Sequence, residues 1–211
     1  MIKTRRVTTL AAAGTALLLS VTLAACGGAA DEEDAAPAEQ SSPAATEDTE
    51  AAADVHNDAD TEFAQMMIVH HEGAMEMAEL AIKQAQNEDV RALGERIAAA
   101  QGPEIETMTS WLETWGEEPP AESDMAGMDH GDMEMDGMDQ EAAMAELSSL
   151  SGVDFDRRFL ELMTEHHRGA IEMAEQHREN GENPEALQLS SEIIDAQTAE
   201  ITEMTNLLAA L

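Results

Sequence analysis

The string MTEHHRGAIEMAE, residues 163–175, places two adjacent histidines among residues of helical spacing and brackets them with methionines. A near copy, MIVHHEGAMEMAE, occupies 67–79. Imidazole nitrogen is a borderline ligand and thioether sulfur a soft one, so the pair suits copper, cuprous copper above all. A thioether has no proton to lose and can bind metal over a wide pH range. Met67 and Met163 stand three residues before His70 and His166, where helical bundles that hold two hard metals carry Glu-x-x-His. Replacing that carboxylate by Met disfavours iron and manganese. The alternative is a hydrogen-bonded pair of core histidines, with methionine as an adaptable filler.

A second tract, DMAGMDHGDMEMDGMD at 124–139, sets Met125, Met128, Met133, Met135 and Met138 around His130. Its glycines and acids give five large apolar side chains no packing role, which predicts metal capture. Compositional drift or a calcium site built on Asp and Glu are the alternatives. Cys26 is the only cysteine. If it is lipidated, Met and His are the soft ligands left to a protein outside the cytoplasm.

Helices must position these groups. Apolar residues recur at helical spacing over about 60–86, and a second helix is expected over about 90–115, kinked or briefly broken at Gly102-Pro103 because Pro lacks the backbone donor. Residues 116–139 read as a Met-rich loop, 140–150 as a short helix, and 154–180 as a third long helix. In GENP, Gly181 fits a C-terminal cap, Asn183 an N-cap and Pro184 the first position of a fourth long helix running to the C-terminus.

At a constant offset of 96 residues, ten of the seventeen positions in 63–79 match 159–175. The offset continues ungapped into the following helices, where Gln101, Glu104, Ile105 and Met108 match Gln197, Glu200, Ile201 and Met204. A helical hairpin is therefore written twice, as 60–115 and 154–211, and two amphipathic hairpins bury their stripes by packing together. The expected fold is all-α, a ferritin-like four-helix bundle with a Met-rich connecting loop. At about 100° per residue, His70, His71, Met67 and Met77 share the apolar side of the first helix, opposite Glu72, Glu76 and Glu79. The third long helix repeats this and adds His177, where the first has Ala81.

The N-terminus carries Lys3, Arg5 and Arg6, then an apolar run to LAAC at 23–26. This predicts a signal peptide over 1–25 and a lipobox whose Cys26 is lipidated; an unlipidated signal is the alternative. Residues 26–58 are acidic and Ala-, Ser- and Pro-rich, and are expected to form a disordered tether, with the bundle occupying 59–211. The formal net charge is −35, from 45 acidic against 10 basic side chains. That argues against nucleic acid and suits a cation, although a solvated acidic surface would look the same.

The pattern Asp-x-x-Phe-x-x-x-Met-x-x-His-His-x-Gly-Ala-x-x-Met-Ala, at 60–78 and again at 156–174, resembles the domain-of-unknown-function family numbered 305, as does QGPEIETMTSWL at 101–112. The resemblance spans about residues 60–211. It implies a ferritin-like helical fold, usually extracytoplasmic, with some members linked to copper binding and resistance. It places the Met/His motif on Met67, His70, His71 and Met77, and on Met163, His166, His167 and Met173. The expectation is a lipid-anchored protein on the extracytoplasmic face of the cell membrane. It would bind Cu(I), Cu(II) or both for buffering, resistance or delivery, with a copper-handling protein as a candidate partner and no organic cofactor. The rivals are a ferritin-like metal oxidase and a structural or partner-binding bundle without metal.

Overall fold

The computed structural model describes residues 55–120 and 140–211. The expected signal peptide, Cys26, most of the tether, and Met125, Met128, His130, Met133, Met135 and Met138 lie outside the described residues. The described chain is all helical: α1 (Asp58–Gln84), α2 (Glu88–Trp115), α3 (Gln140–Ser149), α4 (Gly152–Asn180) and α5 (Pro184–Ala210).

Local chemistry sets the ends. The Asn57 side chain accepts from the backbone N–H groups of Ala59 and Asp60, while Asp60 accepts from the Asn57 N–H at 2.8 Å, a reciprocal cap that starts α1. Residues 55–57, expected at the end of the tether, are thus tied to the domain; the Asn183 side chain also donates to the Val55 carbonyl at 2.8 Å. The Asn87 side chain accepts from the Asp89 N–H at the start of α2, the Asn183 side chain from the Glu185 and Ala186 N–H groups at the start of α5, and Pro184 opens α5 as expected. Gly181 follows α4 but not in the left-handed conformation, its φ being −74°. A Cβ there would overlap the His177 ring and lie 2.8 Å from Asp60 Oδ1, so close approach is what requires glycine.

The expected break at Gly102-Pro103 does not occur: α2 runs unbroken through Pro103. Ala99, whose carbonyl loses its N–H donor, and Pro103 are both exposed, so water can serve the freed carbonyl.

α1 packs on α2 and α4 on α5, and the two hairpins meet chiefly along α1 and α4; α3 lies across these two, while α2 and α5 only graze each other. Two apolar clusters form. One contains Phe63, Met67, Met108, Ala170, Met173, Leu189 and Ile193. The other contains Phe159, Met163, Met204, Ala74, Met77, Leu93 and Ile97, the same positions displaced by 96 residues in the opposite hairpin. Each cluster draws on both hairpins. This is what a pseudo-twofold duplication produces.

A reciprocal clasp joins the hairpins. Buried Asp156, at the start of α4, accepts from the backbone N–H groups of Gln86 and Asn87 at 2.9 and 2.8 Å, in the turn of the first hairpin. Buried Asp60 accepts from Glu182 and Asn183 in the turn of the second, at 3.1 to 3.2 Å. Asp60 also accepts from His177 Nε2 at 2.8 Å, and Phe63 stacks on that ring at 4.1 Å. Burial alone would raise the Asp60 pKa. The His177 bond and three backbone donors outweigh it and hold the carboxyl below its usual range. Stripping a partner from buried donors costs about 1–3 kcal/mol. Asp156→Ala should lower unfolding stability by about that much, and Asp60→Ala by more, because it also strands His177. Denaturant unfolding of both variants checks this; equal losses would show that the His177 contact adds nothing.

Candidate metal centre

Between the two clusters lies a layer of four buried histidines, two from α1 and two from α4. The rings of His70 and His166 stack with centroids 3.7 Å apart, and His166 Nε2 donates to the His70 carbonyl at 2.9 Å. His71 Nε2 lies 2.7 Å from a Glu104 carboxylate oxygen, and His167 Nε2 lies 2.6 Å from Glu200. Both glutamates come from the second helix of their own hairpin, 33 residues on.

Hydrogen bonding assigns the tautomers. A carboxylate only accepts, so His71 and His167 give it their Nε2–H, and the Nδ1 lone pair remains when the ring is neutral. His166 likewise gives Nε2–H to a carbonyl. Nδ1 of His71, His166 and His167 and both nitrogens of His70 have no hydrogen-bond partner in the protein. Metal-binding imidazoles are commonly held this way, with one nitrogen fixed by an acceptor and the other free to ligate. His177 provides an internal contrast. It is equally buried, yet Nε2 bonds Asp60 and Nδ1 lies 2.6 Å from the Ser190 hydroxyl, so both nitrogens are satisfied.

The methionines divide in a way helix spacing explains. Met67 precedes His70 by one turn and Met77 follows by two, so they stand about 15 Å apart along the axis. The structure places them in opposite clusters. Met67 groups with Met173 and Met108, and Met163 with Met77 and Met204. Each side of the histidine layer therefore has a methionine trio from both hairpins. Met108 and Met204 are not in the MxxHH motif, and neither are Glu104 and Glu200; the signal for all four was their coincidence at the 96-residue offset. The same offset marks Gln101 and Gln197, whose buried Oε1 atoms also lack hydrogen-bond partners. Met204 differs from its counterpart in receiving the Thr164 hydroxyl, 3.7 Å from its sulfur.

Among the described residues, no three His, Cys, Asp or Glu side chains converge closely enough to hold a metal ion. Among these residues no hard carboxylate cage is preassembled. The bare ring nitrogens and neighbouring thioethers fit a soft ion, reached with adjustment of side chains. Leaving a buried polar atom without a partner costs about 1–3 kcal/mol. Here the atoms are grouped in one layer and repeated by the duplication, which is how a ligand site differs from scattered packing defects.

His70 and His166 resist protonation. Burial first, and then repulsion from His166, His71 and His167, pushes His70 well below its ordinary value of 6.5. Burial brings His166 to about 3, against a partial upward pull from the His70 carbonyl. His177 is also lowered by burial, an effect Asp60 partly offsets. A neutral imidazole keeps a lone pair for metal. Between pH 6.5 and about 3 the unfolded chain binds protons that His166 refuses in the fold, so stability is full above that window and is lost as pH falls through it. The denaturant midpoint of the metal-free protein should fall from about pH 7 to about pH 4.5, and His70→Asn with His166→Asn should flatten the slope. A pH-independent wild type would contradict this.

The match to a family model confirms the resemblance: DUF305, a domain of unknown function, matches residues 60–208. No curated protein matches the chain. Among solved structures, a DUF305 protein from Streptomyces coelicolor is 34% identical with TM-score 0.63, over 72% of this chain and 91% of its own. A DUF305 fragment from Deinococcus radiodurans is 31% identical with TM-score 0.63, over 74% and 98%. CopM in its Cu(II)-bound form is 35% identical with TM-score 0.60, over 72% and 96%; CopM has also been solved with Cu(I) and with silver. With the family model covering most of its length and the helical fold shared by these relatives, the chain belongs to the DUF305 family.

Proposed function

We propose that this protein binds copper on the extracytoplasmic face of the cell membrane, anchored by lipid on Cys26, and serves copper buffering, resistance or delivery. The observation that carries the reading is the duplicated Glu–His pair, in which Glu104 and Glu200 hold Nε2 of His71 and His167 while Nδ1 stays unpartnered in a buried layer. His70, His71, His166 and His167 would supply imidazole, and Met67, Met77, Met163 and Met173 thioether. Met108 and Met204 share their clusters. Imidazole suits cupric and thioether cuprous copper, so a mixed site can hold either. CopM, similar over most of its length, has been solved with Cu(II) and with Cu(I) bound, which supports the choice of metal. The loop residues Met125, Met128, His130, Met133, Met135 and Met138 would collect cuprous ions.

Glu200→Gln removes the anionic acceptor that orients His167. It should weaken copper binding by about 10- to 100-fold without loss of helicity. Replacing His166, His167 and Met173 together should lower the copper stoichiometry, and replacing the five loop methionines should weaken cuprous binding most. Competition titrations with a chromophoric chelator, with circular dichroism in parallel, read all three. Wild-type stoichiometry in the His/Met variant would make these core residues only. Turnover of cuprous ions in air by the wild type would favour the oxidase reading. Cys26→Ala should move the protein out of the membrane fraction; unchanged membrane retention would refute the anchor.

A further inference from the structure

A copper ion held in the buried histidine layer would need a route, and the two pseudo-equivalent ends of the α2–α5 seam differ there. Between α2 and α5 runs an open groove of about 420 Å³, walled by Glu104, Thr107 and Trp111 on one side and Glu185 and Glu192 on the other. No basic side chain lines it. Glu104 has a foot on each side: it is 22% exposed, while its carboxylate bonds His71, which is fully buried and unpartnered at Nδ1.

The duplication supplies the comparison. Glu200 is similarly 21% exposed and bonds buried His167. Around it, however, Glu203 replaces Thr107, Arg96 replaces Glu192 and Asp89 replaces Glu185. Arg96 and Glu203 form an ion pair that bridges α2 and α5. Each end of the α2–α5 seam thus carries three carboxylates, but the Glu104 end has an open groove without a basic group, while at the Glu200 end Arg96 offsets one carboxylate and spans the gap.

We propose that the α2–α5 groove at its Glu104 end is the port through which a copper cation enters the histidine layer, and that the Glu200 end of the same seam is not used for loading. This rests on the copper reading above. Clustered carboxylates in a cleft raise the local cation concentration and the association rate. Glu185 and Glu192 attract the ion, and Glu104 receives it where one carboxylate already touches an imidazole. At the other end Arg96 offsets part of the acidic attraction and its ion pair with Glu203 closes the gap. The hard oxygen ligands of the port hold copper loosely and the softer nitrogen and sulfur donors inside hold it firmly, so transfer runs inward.

Stopped-flow mixing of the full chain with Cu(II) tests this, following quenching of Trp111 and Trp115, the two tryptophans of the chain. Glu185→Gln with Glu192→Gln should slow association about five- to tenfold at low ionic strength, with the gap closing in high salt and the final stoichiometry unchanged. The mirror variant, Asp89→Asn with Glu203→Gln, should stay within about twofold of wild type. Equal slowing by both variants would show a general acidic field and overturn the port; so would no slowing by either. The copper reading fails on a different measure: if His166→Asn with His167→Asn leaves the uptake stoichiometry at the wild-type value, the ion is not held at the histidines, and the port falls with it.

Discussion

An imidazole buried in a helical bundle is stabilised by giving its N–H to an acceptor, and four of the buried histidines, all but His70, find one, a constraint that organises this molecule. Five histidines are buried. Glu104 and Glu200 must face inward to meet His71 and His167, which sets the rotation of α2 and α5 against their partners. His166 reaches the His70 carbonyl, which draws α4 against α1 at the stacked rings. The apolar clusters then fill the space on either side of this layer. His177 shows that the same fold can satisfy both ring nitrogens when it has the residues for it, so the bare nitrogens of the central layer are a local property and not a general looseness of packing.

Duplication supplies most of the architecture, and its departures carry information. Where the second hairpin pairs His177 with Ser190, the first has Ala81 against Gly94. A Cβ on Gly94 would lie 3.1 Å from both Ala81 Cβ and the Ala78 carbonyl, so the first hairpin closes tightly by small residues alone. The second accommodates a ring there by tying it to Asp60 across the bundle. The clasps themselves keep the twofold: each aspartate that opens a hairpin holds the turn of the other, and neither hairpin has its own turn fully served without its partner.

Hard and soft groups are sorted by depth. Among the described residues, six methionines and five histidines are buried, whereas the buried carboxylates are Asp60 and Asp156. Under the copper reading proposed above, a cation would meet oxygen first, where salt screens the attraction, and nitrogen and sulfur afterwards, where softer donors bind it more strongly.

The amino-acid sequence by itself determined the helices, their hairpin pairing, the duplication and the burial of both HisHis pairs, because helical periodicity and a constant 96-residue offset are properties of one chain read in order. It did not reveal that Pro103 could sit inside α2, which depended on that side of the helix meeting water. Nor did it pair His71 with Glu104 or His167 with Glu200, since the distance from one helix to the next depends on how the hairpin closes. Met67 and Met77 look like one ligand set along the helix, yet two hairpins packed about a pseudo-twofold axis assign them to opposite clusters. Only tertiary packing decides which side chains from different helices share a site, because a ligand set is a matter of direction in space and sequence spacing specifies direction only within a single helix.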